Sequence, residues 1–288
     1  MDDLPDCGFE TTLVSQLSQP AARLLGRPLH FFDTIDSTNT SAARLAREDA
    51  AEGTVVVADA QTGGKGRLGR IWVSPPGLNL YLSVILRPRK PASAVPQLSL
   101  LASVAVAETI VQQTQLSPAI KWPNDVLVSG KKVCGILTEM QTNGSQLRSV
   151  VVGIGVNINA PLSSFPEELQ GRASSLFLMR GEPVDRAAFA VSLLTHLEKL
   201  YVLWLEKGFP VVGAAWEGYA SELLGKSITV TAPEGIISGT VRGIDRDGAL
   251  LVESVSPEGQ ERSSPRVQRI LAGDVTVVEG YRKTDTVN

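Results

Sequence analysis

The order of apolar and polar residues divides the chain into segments of three kinds. The first kind is apolar, β-branched and short. Residues 54–60, bounded by Gly53, and 79–86, followed by Pro88, read as strands. Residues 120–127 read as a strand interrupted at Pro123, and 133–140 and 149–157 as two more strands. Ser129-Gly130 and Asn143-Gly144 carry the signature of tight hairpin turns. The second kind repeats at helical spacing. Residues 97–113 are rich in Leu, Ala and Val with few charges and predict a largely buried helix. Phe189, Leu193, Leu197, Leu200 and Trp204 line one face of a second helix, capped by Asp185 and stopped at Gly208. A shorter alanine-rich helix follows Ser37, whose hydroxyl suits an N-cap. The third kind begins at Gly225: brief strands at 227–231, 239–244, 249–253 and 268–271, with Arg246-Asp247-Gly248 as a hairpin turn, suit a small β-barrel. Ahead of all this, residues 1–28 hold one short helix near 13–25, broken at Pro20, and the tail 279–288 is polar.

Composition narrows the classes. At 288 residues, 43 % of them hydrophobic, the chain has room for a large domain with a real core plus a small one. No apolar run reaches the length needed to span a bilayer, and the acidic start lacks the basic and apolar regions of a signal peptide. Cys7 and Cys134, the two cysteines, fit a reducing compartment, so the cytoplasm is the expected location. A net charge of −3 argues against a general nucleic-acid binder. His30 and His196 are isolated, which excludes a metalloenzyme built on histidines.

The chemistry concentrates around residues 63–72. Gly63, Gly64, Gly66 and Gly69 alternate with Lys65, Arg67 and Arg70 and end at Trp72. Glycines free the backbone to turn and to approach a ligand, and the cations add charge where amide groups are least shielded. Such a loop either closes over an anion or is a basic surface loop; it does not fit the phosphate-loop pattern G-x-x-x-x-G-K-[ST]. Four other places invite the same question. Ser37-Thr38-Asn39 offers neutral donors and acceptors beyond what a helix cap needs. Lys121, Asn124 and Asp125 flank Pro123, Lys132 stands at a hairpin, and Gly153-x-Gly155-x-Asn157 suggests close approach to a backbone.

Taken in order, these blocks resemble the biotin protein ligases. The loop resembles the family's GRGR-x-GR followed by an aromatic, with Lys65 in place of the commoner arginine. The S-T-N triplet, the proline-glycine turn before N-L-Y-L-S, the pentapeptide K-W-P-N-D at 121–125, K-x-x-G-I-L-x-E from Lys132, and G-x-G-x-N at 153–157 all match, over roughly residues 31–275. The resemblance implies an α+β fold: a mixed sheet with flanking helices, like the class II aminoacyl-tRNA synthetase core, and a C-terminal Src-homology-type β-barrel. It divides the chain into an extension (1–28), a catalytic domain (29–222), the barrel (223–278) and a tail (279–288). By the same resemblance Ser37, Thr38, Asn39, Gln61, Gly64, Lys65, Gly66, Arg67, Lys132 and Gly135 meet biotin. Arg67, Arg70, Trp72, Lys121, Asn124, Asp125, Lys132 and Asn157 meet ATP or the adenylate, and Lys132, Arg67 and Lys65 carry the catalysis. The implied reaction uses ATP and Mg²⁺ to make biotinyl-5′-AMP and passes biotin to a lysine of a biotin carboxyl carrier protein. Too few residues precede Phe31 for the DNA-binding domain of the repressor-type ligases, so no nucleic-acid partner is expected; the sequence leaves the oligomeric state open, with a β-edge near 150–157 as the candidate surface for a homodimer. Two other readings are a lipoate–protein ligase, which lacks the complete glycine loop and the S-T-N triplet, and a non-catalytic biotin sensor, which would not need Lys132.

Overall fold

The computed structural model describes residues 8–17, 24–144, 146–232, 235–254 and 266–277. In chain order these form α1 (Phe9–Leu17), β1 (Leu29–Ile35), α2 (Thr38–Arg47), β2 (Val55–Gln61), β3 (Leu80–Leu86), α3 (Val95–Thr114), β4 (Pro118–Lys121), β5 (Asp125–Val128), β6 (Lys131–Asn143), β7 (Gln146–Val156), α4 (Glu167–Gln170), α5 (Leu176–Arg180), α6 (Arg186–Lys207) and α7 (Phe209–Tyr219). Five strands follow: β8 (Ser227–Ala232), β9 (Gly235–Ile244), β10 (Leu250–Ser254), β11 (Arg266–Ile270) and β12 (Asp274–Val277).

The first seven strands make one sheet in the order β1-β2-β3-β7-β6-β5-β4. Its β1–β2 pair is parallel and the other pairs are antiparallel, so the sheet is mixed, as expected. The unbroken apolar runs of β3 and β7 reflect helices on both faces. Leu80, Leu82, Val84 and Leu86 of β3 join Val152 and Ile154 of β7 in the core that holds α3 and α6. On the opposite face Val56, Ile85 and Val151 pack with Ala42 and Ala46 of α2.

The hairpins form where the turn residues allow them. Ser129 (φ 49°) and Gly130 (φ 75°) both take the left-handed region, the pair that a two-residue turn between β5 and β6 requires. Asp185 Oδ1 accepts from the N–H groups of Ala187 and Ala188 at 2.9 and 3.0 Å, capping α6 as the sequence predicts. α3 and α6 are long and apolar enough to cross a membrane by length and composition, contrary to the expectation that no apolar run is. Both pack in the core of the large sheet, and α3 buries most of its residues.

Four other expectations change. The first helix starts at Phe9, because Phe9, Leu13 and Leu17 form its buried stripe; residues 18–23 with Pro20 lie outside the described residues, as do Cys7 and the tail. α7 is an addition: Gly208 ends α6, and Phe209-Pro210 opens a new helix at once, proline being tolerated in a first turn. β12, four residues long, is another. The expected β-edge near 150–157 does not exist, since β7 is paired on both sides, by β3 and β6; the edges of the sheet are β1 and β4.

The C-terminal strands form a five-stranded antiparallel sheet in the order β11-β10-β9-β8-β12. Its β9–β10 turn rests on the first unit. Trp122 Nε1 donates to Gly248 O at 3.4 Å, and Gln97 Nε2 to Asp247 O at 3.3 Å. That docking brings β12 to the rim of a cavity in the large sheet.

Candidate active site

The cavity measures about 690 Å³ and lies between the glycine-rich loop, β6, β7 and β12. Its floor is a pair of glycines. Gly135 and Gly155 are register partners on β6 and β7, and Trp72 lies against both. A Cβ on Gly155 would come within 2.7 Å of the indole, and one on Gly135 within 2.9 Å. Trp72 Nε1 is buried, lies over Gly155 and has no hydrogen-bond partner among the described residues.

One end of the cavity is polar and uncharged. Ser37 occupies the N-cap position of α2, but its side chain makes no capping bond and lines the cavity instead. Thr38 donates from its backbone N–H to Gln61 Oε1 at 2.8 Å, and Gln61 Nε2 donates to Ser74 Oγ at 2.9 Å. Asn39 is held on every side. Its Oδ1 accepts from Ser83 Oγ at 2.7 Å, and its Nδ2 donates to Leu137 O at 3.2 Å and Glu139 Oε2 at 2.8 Å. Both amide hydrogens are therefore used within the chain, so Asn39 braces this end of the site and has no donor left for a ligand.

The other end is cationic. Lys132 Nζ sits 2.6 Å from Asp125 Oδ1 and 5.5 Å from the centre of the Trp72 ring. Arg67 spreads its guanidinium between two partners, donating to Asn124 Oδ1 and to Gly273 O, each at 3.1 Å. Burial draws its pKa below the usual arginine value, against the pull of Asp274 and Asp125. Arg70 pairs with Asp274. Asn124 Nδ2 donates to Ile136 O at 2.8 Å, and Asn157 Nδ2 to Ser174 O at 3.0 Å. Lys65, Gly66 and Lys121 complete this side of the lining.

Of the site residues expected from the sequence, Gly64 alone does not line the cavity. A Cβ there would lie 2.3 Å from Trp72 O and 2.7 Å from Ser74 Oγ, so Gly64 is needed for packing at the base of the loop. Two walls have no counterpart in the sequence motifs. The segment around Phe165, Leu169 and Arg172 is bonded to the catalytic-lysine candidate, since Lys132 N–H donates to Arg172 O at 2.8 Å and Ser174 N–H to Lys132 O at 2.9 Å. Asp274, Val275 and Thr276 come from the C-terminal sheet. Only long-range pairing brings either wall in.

Residues 31–157 match the biotin/lipoate A/B protein ligase family, and residues 223–277 match the biotin protein ligase C terminal domain. The bifunctional ligase/repressor BirA of Bacillus subtilis is 42 % identical over 231 residues, which make up 80 % of this chain and 71 % of that protein. The chain belongs to the biotin protein ligase family. The biotin–[acetyl-CoA-carboxylase] ligase of Paracoccus denitrificans is 34 % identical, covering 78 % of this ligase and 93 % of its relative. Among solved structures, a biotin protein ligase from Aquifex aeolicus in complex with biotin and ATP superposes with a TM-score of 0.73 at 31 % identity, over 88 % of this chain and 99 % of that one.

Proposed function

We propose that this ligase activates biotin with ATP, forming biotinyl-5′-AMP, and passes the biotin to a lysine of a biotin carboxyl carrier domain. The observation that carries this reading is the joining, on one glycine floor, of a neutral hydrogen-bonding pocket at Ser37, Thr38 and Gln61 to the cations Lys65, Arg67, Arg70, Lys121 and Lys132. The neutral end suits a ureido group, which needs directed donors and acceptors. The cationic end suits the meeting of a carboxylate with a triphosphate of charge roughly −4, whose mutual repulsion must be offset.

In this reading the biotin carboxylate attacks the α-phosphorus and pyrophosphate leaves. Lys132 stabilises the charge that develops on the α-phosphate, with Asp125 holding its ammonium in place. The carrier lysine amine then attacks the carbonyl of the mixed anhydride and AMP departs. Mg²⁺ neutralises phosphate oxygens when bound. The cavity carboxylates, Asp125 and Asp274, each face a cation, Lys132 and Arg70 respectively. Biotin-dependent pyrophosphate release tests the reading; release driven by lipoate instead, or none at all, would sink it.

The same reading assigns 29–222 to catalysis and 223–278 to the C-terminal domain, in keeping with the two sheets. Cytoplasmic action fits Cys134, a free and buried thiol. A homodimer would have to use a surface other than β7, and β1 and β4 are the edges available.

Two expectations follow for this reading. The loop 63–72 contains Leu68 at φ 56°, and both Leu68 and Ile71 are exposed, so its tip is tied down by the polar contacts of Arg67 and Arg70 and not by apolar burial. Biotin should increase protection of its backbone amides from exchange; equal protection with and without biotin would count against a ligand-closing loop. With an isoelectric point near 5.6, the protein should bind no operator. A sequence-selective, salt-resistant gel shift would overturn that expectation.

A further inference from the structure

Two arginines of the glycine-rich loop end on the C-terminal sheet. Arg70 pairs with the Asp274 carboxylate, and Arg67 donates to the neighbouring Gly273 O. Burial tends to raise the Asp274 pKa, but the hydrogen bond and charge of Arg70, then the charges of Arg67 and Lys121, hold it below the usual carboxylate range. Three cations thus face one carboxylate on the wall of the cavity that also holds Lys132. In the ligase reading, on which this inference rests, those are cations that a triphosphate must recruit. A carboxylate and a triphosphate repel each other, so they compete for the same partners.

We propose that Asp274 is the resident counter-anion of the loop, a positioning residue that holds Arg70 and Arg67 whenever no polyphosphate is in the cavity. It yields them when the triphosphate binds and takes them back when pyrophosphate leaves. The adenylate keeps one phosphate, so the arginines then lack most of the charge they faced before. Their return to Asp274 keeps the loop closed over the mixed anhydride until the carrier lysine arrives, and no covalent bond changes in this exchange.

The test uses the full chain. Asp274→Asn keeps the shape and removes the charge. Pyrophosphate release gives the KM for ATP, and the loss of labelled biotinyl-5′-AMP without carrier gives retention. Asp274→Asn should release the adenylate about fivefold faster, the upper range for losing an exposed ion pair. Its KM for ATP should be unchanged or lower. Asp274→Glu should restore retention, and Arg70→Gln should leak similarly, with no further loss in the double variant. Added salt should narrow the gap between wild type and Asp274→Asn. Retention unchanged in Asp274→Asn overturns the proposal, and so does a raised KM for ATP, which would make Asp274 a group that serves the nucleotide. A wild-type chain that forms no adenylate would overturn the ligase reading itself, a result distinct from either.

Discussion

Lys132→Ala should lower the rate of biotinyl-5′-AMP formation about 10²–10³-fold, the usual cost of losing one group that stabilises transition-state charge. The side chain is fixed from several directions. Its backbone is bonded to Arg172 and Ser174, and its ammonium rests 2.6 Å from Asp125 Oδ1. Gly135 makes room for it, since a Cβ there would come within 3.3 Å of Nζ. Preorganisation of this kind is what lets a single charge act on the barrier rather than on binding alone. Biotin affinity should therefore change far less than the rate. Pyrophosphate release at saturating biotin and ATP, set beside direct titration of biotin, separates the two. Near-normal turnover would reduce Lys132 to a solvated hairpin lysine.

Much of this site is legible in the sequence because its parts are local. The turn at Ser129-Gly130 pairs Lys132 with Leu127, two residues from Asp125, so the Lys132 ammonium reaches the Asp125 carboxylate along the hairpin, and the loop residues Lys65 to Trp72 carry their own glycines. What the sequence conceals depends on contacts between distant segments. Ser83 and Glu139 bind Asn39 from strands 44 and 100 residues away, and nothing in their local pattern marks them. Asp274 belongs to a strand of four residues in another sheet. The helix α7 is hidden for a different reason: a glycine that ends one helix can also begin the next, and only packing tells the two apart. The glycines of G-x-G do allow close approach to a backbone, but the groups that approach are the protein's own side chains, Asn39 at Gly153 and Trp72 at Gly155.

Gly153→Ala should weaken both biotin binding and the fold. A Cβ at this position would lie 1.9 Å from Asn39 Oδ1 and 2.7 Å from Asn39 Cγ, so one of the two must move. The strand cannot yield easily, because Gly153 is paired with Ser83 on β3 and with Leu137 on β6. Those two residues are themselves partners of Asn39. The side chain of Asn39 is then forced out; the Glu139 carboxylate loses the Asn39 amide, and the Ser83 hydroxyl keeps only its bond to Thr38 Oγ1. Overpacking and unpaired polar groups each cost about 1–3 kcal/mol. Biotin affinity should fall roughly 10–100-fold, because the S-T-N end of the cavity loses its brace, and stability should fall as well. Titration calorimetry with biotin and urea unfolding measure the two effects. The deciding comparison is Gly153→Ala placed on an Asn39→Ala background, where the new methyl group has room. There it should cost little beyond Asn39→Ala alone. If it costs as much as in the wild type, the glycine is required by the ligand and not by Asn39.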